Sequence, residues 1–117
     1  MPYGKKDRHH KRVRHEDRAL CYRYYNMEEL IELDQPIELF VVDISAGGVG
    51  LRSRQPLNSG FVLIFDLNFG LSTYKIMAKV MWSKQRDSYY RSGLEFVSMP
   101  YKLRGEIKAL TSLDQAL

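Results

Sequence analysis

The feature of this sequence that most restricts its fold is a succession of short strand-type segments followed by one helical segment. Ile76, Ala78 and Val80, for example, alternate with Lys75 and Lys79, which is the period-two pattern of a half-buried strand. Trp82 continues the apolar side of that pattern. β-branched and aromatic residues between turn signals predict the other strands. The six predicted strands are 19–25, 37–44, 48–53, 61–69, 72–84 and 89–99.

The end of the chain changes period. Leu103, Ile107, Leu110 and Leu117 are spaced so that they form one stripe of a helix, and Pro100 separates this stretch from the last strand. The acidic stretch 26–36, which ends on Pro36, is predicted as a connection. These elements predict an all-β fold, a six-stranded antiparallel β-barrel with a C-terminal amphipathic helix over 101–117 laid against it.

Positive charge is concentrated at the start of the chain. Residues 1–18 contain seven Lys or Arg and three acidic residues, whereas residues 19–117 contain 11 of each. With few apolar side chains, 1–18 is expected to be a flexible basic arm, and 19–117 a single barrel domain that includes the helix. An arm of this kind attracts anions such as nucleic acid, acidic lipid or a phosphorylated small molecule.

Several classes of function lack support in the sequence. No apolar run reaches the ~18 residues that span a bilayer, and the single cysteine, Cys21, is expected to be a buried filler in a protein of the reducing cytoplasm. His9, His10 and His15 are expected to be solvated, with no metal site. We find no general acid–base pair and no phosphate-binding loop. The sequence therefore favours a binding module without catalytic residues, metal or cofactor.

The stretch Asp43-Ile44-Ser45-Ala46-Gly47-Gly48 suggests where binding occurs. Alternation along the preceding strand predicts that Val42 and Ile44 are buried while Asp43 and Ser45 line the outer surface. Glycine at the following turn permits positive φ and a close approach of a ligand to the backbone. On its own, however, the stretch favours a polar cap at a strand end over a binding site.

A second motif accompanies it. Arg14-x-x-x-Arg18, followed by Asp43-x-Ser45-x-x-Gly48, resembles the two-part signature of the PilZ domain family. The resemblance extends over nearly the whole chain, since residues 78–82 are similar to the family's Val-x-Trp strand and residues 90–97 to its Tyr-x-x-Gly-x-x-Phe strand.

This resemblance implies a PilZ-like split barrel that binds the bacterial second messenger cyclic di-GMP on its outer surface. Arg14 and Arg18 would contact the phosphates and guanine Hoogsteen edges. Asp43 and Ser45 would contact a guanine's polar edge, and Gly48 would admit it. Guanidinium forks and a carboxylate acceptor suit such a ligand. The secondary candidates are Arg12, Lys11, Gly47 and Trp82.

The resemblance further implies that the arm becomes ordered on binding and signals to an unidentified effector protein. Alternatives are a nucleic-acid-binding small β-barrel, in which Tyr22, Tyr24, Tyr89 and Tyr90 stack on bases, and a ligand-free PilZ-like protein-interaction module. The charge is confined to the arm, so nucleic acid is the less favoured partner. One or two ligand molecules per site, and a homodimer, are both left open.

Overall fold

The computed structural model describes the backbone of residues 11–116 and the side chains of residues 11–111. Within these described residues there are six strands and one helix. The strands are β1 (Val13–Tyr25), β2 (Leu30–Ile44), β3 (Gly48–Ser53), β4 (Val62–Phe69), β5 (Ser72–Arg86) and β6 (Tyr89–Ser98), and the helix is α1 (Tyr101–Ala116).

The six strands form a closed barrel in the order β1-β2-β3-β6-β5-β4, with every neighbouring pair antiparallel. Closure is made by β1, which pairs with β2 on one side and with β4 on the other. The barrel and the C-terminal helix predicted from the sequence are confirmed. Because β3 is hydrogen-bonded to β6 rather than to β4, side chains that are far apart in the sequence become neighbours on the outer surface.

Alternating residues of the strands fill the barrel. In β5, Ile76 and Ala78 are fully buried while Lys75 and Lys79 are exposed, so the predicted pattern holds over this part of the strand. Cys21 is also fully buried, and its burial raises the pKa of the thiol above its usual value. The helix covers part of the core through Leu103 and Ile107, both of which are fully buried.

The helix departs from its predicted stripe at Leu110, which is 39% exposed. Its contact with the barrel centres on an earlier turn, where the Tyr74 hydroxyl donates to Glu106 Oε1 at 2.7 Å. Leu117, the last residue of the stripe, lies outside the described residues. No helix within residues 11–116 has the length and apolar character needed to cross a membrane.

The first strand begins at Val13, six residues earlier than predicted, so residues 13–18 do not form part of a flexible arm. Val13 is buried, and Arg14, Asp17 and Arg18 are paired with β2. A ladder is made by backbone groups, so charged side chains can occupy it when they point outward. Residues 1–10 of the predicted arm lie outside the described part of the chain.

The second strand begins at Leu30, within the segment predicted to be a connection. Its ladder with β1 is interrupted: Glu32 pairs with Arg23 and Ile37 pairs with Cys21, so four residues of β2 stand opposite one of β1. This bulge accommodates Pro36, which has no N–H to donate to a ladder. The proline therefore bends the strand without ending it.

Candidate functional site

An open groove of about 520 Å³ lies on the outer surface of the barrel, where β1, β2, β3 and β6 meet. Its walls contain four arginines and two carboxylates, a combination that gives the groove a net positive charge of two. The lining residues are Arg12, Val13, Arg14, Glu16, Val42, Asp43, Arg52, Tyr89 and Arg91.

Arg14 and Asp43 are direct partners in the β1–β2 ladder. The Arg14 side chain is 83% exposed and its Nη2 donates to Glu16 Oε1 at 2.7 Å. This hydrogen bond, and then the attraction between the two charges, raises the pKa of Arg14 and lowers the pKa of Glu16. The first residues of the two sequence motifs, Arg14 and Asp43, are therefore neighbours in the structure, as the sequence predicted.

The Asp43 carboxylate lies between two arginines. Arg12 Nη1 donates to Asp43 Oδ1 at 2.7 Å, and Arg91 Nη2 lies 3.6 Å from Asp43 Oδ2. The side chains of Arg12 and Asp43 are 24% and 27% exposed. A fixed carboxylate of this kind, accessible from the groove, can accept hydrogen bonds from a paired N–H donor edge.

Two irregularities in the β1–β2–β3 ladders determine which side chains face the groove. The β2–β3 register shifts between Val41 and Asp43, and the β1–β2 register shifts between Arg14 and Asp17. Val41 and Ile44 are buried, whereas Val42 and Asp43 both line the groove. The prediction that Val42 is a core residue is therefore wrong, because a bulge changes the alternation of faces.

Two buried glycines lie beside Asp43 in the sheet. Across the sheet, Asp43 pairs with Gly50, Gly50 with Gly93, and Gly93 with Trp82. A Cβ on Gly50 would lie 2.5 Å from Asp43 Oδ1, and one on Gly93 would collide with Trp82 Nε1. Because neither glycine carries a side chain, the Asp43 carboxylate and the Trp82 ring can lie over the backbone.

Trp82 reaches this row through a bulge in β5. The β5–β6 register shifts between Val80 and Trp82, and the following Ser83 faces inward, where its Oγ contacts the buried Ser92 Oγ at 2.9 Å. The sequence pattern predicted that Trp82 lies on the same, inward face of β5 as Ile76. The bulge displaces it from that face. It lies near the groove but is not among the residues that line it.

Sequence reasoning missed the cationic wall contributed by β3 and β6. The Arg52 guanidinium lies 5.5 Å from the centre of the Tyr89 ring, a cation–π contact, and Arg52 pairs with Arg91 in the ladder. Alternation alone puts Gly50 and Arg52 on one face of β3. The adjacency of β3 and β6, which brings Arg91 beside them, had no signal in the sequence.

Arg18, the second arginine of the motif, is separated from the groove. It is exposed, and its Nε donates to the Glu38 carboxylate. A bulge in β1 lies between Arg14 and Arg18, and Arg18 pairs with Phe40 in the ladder. Phe40 and Arg52 line a separate, smaller depression next to the groove. The structure therefore brings Arg14, but not Arg18, to the groove beside Asp43.

Ser45 does not line the outer surface as predicted. It is fully buried, and its Oγ accepts hydrogen bonds from the backbone N–H groups of Gly47 and Gly48 at 3.2 and 3.1 Å. Its own N–H donates to the Gly48 carbonyl at 2.9 Å. Ser45 thus stabilises the turn from β2 into β3, and the strand-cap alternative describes its contacts in this structure.

The glycines of this turn have structural roles. Gly48 has no positive φ; a Cβ there would collide with the Leu94 carbonyl oxygen on β6, so glycine is required for the close approach of two strands. The Gly47 carbonyl accepts from Phe96 N–H at 2.9 Å. Both contacts hold β3 against β6, and neither glycine lines the groove.

The remaining polar candidates lie at or before the start of β1. Lys11 is exposed, immediately before Arg12. His15, predicted to be solvated, instead contacts the Asn68 carbonyl oxygen through Nε2 at 2.7 Å and lies 4.8 Å from the Phe69 ring. His9 and His10 lie outside the described residues. Within the described part of the chain, no group of three His, Cys, Asp or Glu side chains is arranged to hold a metal ion.

Comparisons with known proteins agree with this architecture. The barrel is similar to the PilZ domain with c-di-GMP of YcgR from Escherichia coli, with a TM-score of 0.64 and 12% identity over 92% of this chain and 91% of that one. It is also similar to the Bacillus subtilis inhibitor of motility (MotI/DgrA), with a TM-score of 0.61 and 16% identity over 92% of this chain and 50% of that one.

At these identities the two structures show a shared fold. A comparison with curated protein sequences found no match. The sequence profile of the PilZ domain matches residues 6–113, a span that includes the Arg14-x-x-x-Arg18 and Asp43-x-Ser45-x-x-Gly48 motifs and all six strands. The chain therefore belongs to the PilZ domain family.

Proposed function

We propose that this protein is a cytoplasmic receptor that binds cyclic di-GMP in the groove between β1, β2, β3 and β6, and that it acts by binding rather than by catalysis. The observation that carries the proposal is the direct pairing of Arg14 with Asp43 at the edge of the groove. This pairing joins a guanidinium, which binds phosphate or a guanine Hoogsteen edge, to a carboxylate, which accepts from guanine N1–H and N2–H.

The charge of the groove supports a dianionic ligand. Arg12, Arg14, Arg52 and Arg91 face Asp43 and Glu16, and the difference of two positive charges equals the charge on the two phosphates of one cyclic dinucleotide. The Tyr89 ring, which also lines the groove, provides an aromatic face for a flat base. These features favour one ligand molecule in the groove.

Ligand binding would exchange the partner of Arg12. A guanine edge on Asp43 occupies the position that Arg12 Nη1 holds at 2.7 Å, so Arg12 would move to a phosphate. The exchange replaces one charge-assisted hydrogen bond of Arg12 with another of the same type, so its net cost is expected to be small. Since Arg12 directly precedes β1, its movement would reposition the segment before the barrel, and we propose that an effector protein recognises that change.

Arg18 and Ser45 enter this proposal in different ways. Arg18 would have to leave Glu38 and reach towards the phosphates from the adjacent side of β1, so its contribution would be smaller than that of Arg14. Ser45 and Gly48 would act by holding the turn that positions Asp43. Lys11 and Arg12 would add to the positive potential at the mouth of the groove.

Isothermal titration calorimetry with cyclic di-GMP tests the proposal, with cyclic di-AMP and GTP as controls. We expect saturable binding of cyclic di-GMP with one molecule per chain, and at least tenfold weaker binding of cyclic di-AMP, which lacks the guanine donor edge. Asp43→Ala should abolish that preference. Equal affinities for the two cyclic dinucleotides, or tighter binding of a single-stranded oligonucleotide at 150 mM salt, would contradict the proposal.

A further inference from the structure

The β1–β2 hairpin carries an unusual concentration of exposed apolar side chains. Eight large hydrophobic residues of the described chain are exposed, and four of them lie within nine positions of this hairpin. We call these four the hairpin patch: Tyr22 (49% exposed), Tyr25 (39%), Met27 (71%) and Leu30 (37%). Clusters of this kind on a small protein mark surfaces that contact a partner.

Met27 is held in a backbone conformation that its side chain disfavours. Its φ is 83°, in the left-handed region that is unfavourable for a residue with a Cβ atom. Asn26 fixes the turn, because its Oδ1 accepts from the N–H groups of Glu28 and Glu29 at 3.1 and 3.0 Å. Glycine or asparagine would suit this backbone conformation better. The Met27 thioether lies over Gly60, where an added Cβ would meet its Sδ at 3.1 Å, yet most of the side chain remains exposed.

Next to the patch, β2 presents an unpaired backbone edge. Within the described residues, β2 pairs with β3 from Phe40 to Ile44, and its residues 33–36 also lack partners in β1. A cavity of about 260 Å³ opens beside this edge. Its apolar lining includes Leu33, Ile37 and the stacked rings of Tyr24 and Phe61, whose centroids are 5.3 Å apart.

The charged side chains of β2 and its turn from Glu28 to Asp34 are all negative, although Arg23 of β1 lies opposite Glu32 in the ladder. Glu28, Glu29, Glu32 and Asp34 are all exposed, and none of them forms an ion pair within the described part of the chain. Two copies of this edge would repel each other, and Pro36 removes one N–H from it; both features prevent pairing of an edge with itself. A basic strand would meet no such repulsion.

We propose that residues 33–35 of β2, together with the hairpin patch, form a docking surface for an extended, basic segment of a partner protein. The segment would add to β2 as a further strand, with backbone hydrogen bonds to residues 33–35 and an apolar side chain in the Leu33–Phe61 cavity. Its basic side chains would lie beside Glu32 and Asp34, and Met27 would cover its end. This surface is distinct from the cationic groove, so the inference does not depend on the proposed ligand.

A labelled nonapeptide in which lysine alternates with valine tests the surface by fluorescence anisotropy and by amide chemical shifts of the full chain. Two matched peptides separate the contributions: one N-methylated at alternate residues so that it cannot form a ladder, and one with glutamate in place of lysine. We expect saturable micromolar binding of the first peptide, shifts centred on residues 30–37, and at least tenfold weaker binding of the other two.

Protein variants provide the second comparison. Met27→Asn should change the melting temperature little, because asparagine tolerates the left-handed conformation while the packing of Met27 over Gly60 is lost. It should weaken binding of the lysine–valine peptide about tenfold. Leu71→Asn alters a residue of the β4–β5 hairpin that is even more exposed than Met27, and it should leave peptide affinity unchanged. Equal affinity for the N-methylated peptide, shifts centred on the groove, or a homodimer that buries residues 30–37 in sedimentation experiments would overturn the inference.

Discussion

Arg14 lies directly opposite Asp43 in the antiparallel ladder between β1 and β2, although the whole β1–β2 hairpin separates them along the chain. Their side chains border one groove. The ladder therefore sets the spacing between a cationic fork and a carboxylate, and neither side chain requires a mobile arm to bring it there.

Replacement of Arg14 should weaken cyclic di-GMP binding without unfolding the barrel. A charge-assisted hydrogen bond contributes about 1.5–3 kcal/mol, so Arg14→Ala should lower the affinity by about 10- to 100-fold. Arg14→Lys should recover little of that loss, because an ammonium cannot make two parallel hydrogen bonds. Calorimetry measures the affinity, and an unchanged melting temperature confirms that the fold is retained.

Arg18→Ala is the matched control for this experiment. Arg18 contacts Glu38 and does not line the groove, so we expect a smaller loss of affinity than for Arg14→Ala. A larger loss at Arg18 would show that the ligand is bound on the other side of β1.

Removal of the Glu16 charge should strengthen ligand binding. Glu16 accepts from Arg14 at 2.7 Å and so competes with a ligand phosphate for the same guanidinium. Because Glu16 and Arg14 are both exposed and solvent screens their attraction, Glu16→Gln should raise the affinity by no more than about a few-fold.

The shifted pKa of Glu16 also predicts that ligand affinity depends on pH. Arg14 lowers the pKa of Glu16 in the free protein, and release of Arg14 to the ligand would raise it again. The complex would then bind protons more readily than the free protein, so affinity should increase as the pH falls towards the range in which Glu16 titrates. The wild-type dependence should be reduced in Glu16→Gln, and an identical dependence in the two proteins would contradict this explanation.

Two neighbouring glycines should respond differently to alanine. At Gly50 the added Cβ meets the end of the flexible Asp43 side chain at 2.5 Å, so Gly50→Ala should keep the fold and weaken ligand binding by displacing the carboxylate. At Gly48 it collides with the Leu94 backbone carbonyl, so Gly48→Ala should lower the free energy of unfolding by about 1–3 kcal/mol. Thermal unfolding and calorimetry on both variants measure these two effects. A loss of stability in Gly50→Ala together with a loss of affinity alone in Gly48→Ala would refute the roles given to the two glycines.

Ser45→Ala should act on stability first. Loss of Oγ leaves the N–H groups of Gly47 and Gly48 without their acceptor, and a buried unsatisfied donor costs about 1–3 kcal/mol. The melting temperature should fall by several degrees. If the variant instead keeps its stability and loses ligand affinity, Ser45 contacts the ligand and the turn rearranges on binding.

The sequence was sufficient to predict the barrel, because strand periodicity persists over most of each strand. β3 is observed at the predicted residues 48–53, and β4 differs by one residue at its start. The early part of β1 was missed because its outward positions are charged. The early part of β2 was missed because Pro36 was interpreted as a stop, whereas a bulge absorbs it.

Within the candidate site, the sequence motif identified Arg14 and Asp43 as a pair, and the structure brings them together. It could not predict the contribution of Arg52, Arg91 and Tyr89, which depends on the adjacency of β3 and β6. Ser45 was misplaced for a different reason: β2 ends at Ile44, so Ser45 lies in the following turn, where the alternation of a strand no longer applies and its Oγ accepts from the Gly47 and Gly48 N–H groups.

The most direct test of the proposed ligand site is a titration of the isotopically labelled protein with cyclic di-GMP, followed by amide chemical shifts. The account predicts saturable changes concentrated at residues 12–16, at Asp43, at Gly50–Arg52 and at Tyr89–Gly93, with little change in residues 26–37. Absence of saturable changes, or changes centred on the β1–β2 hairpin with none in the groove, would contradict it.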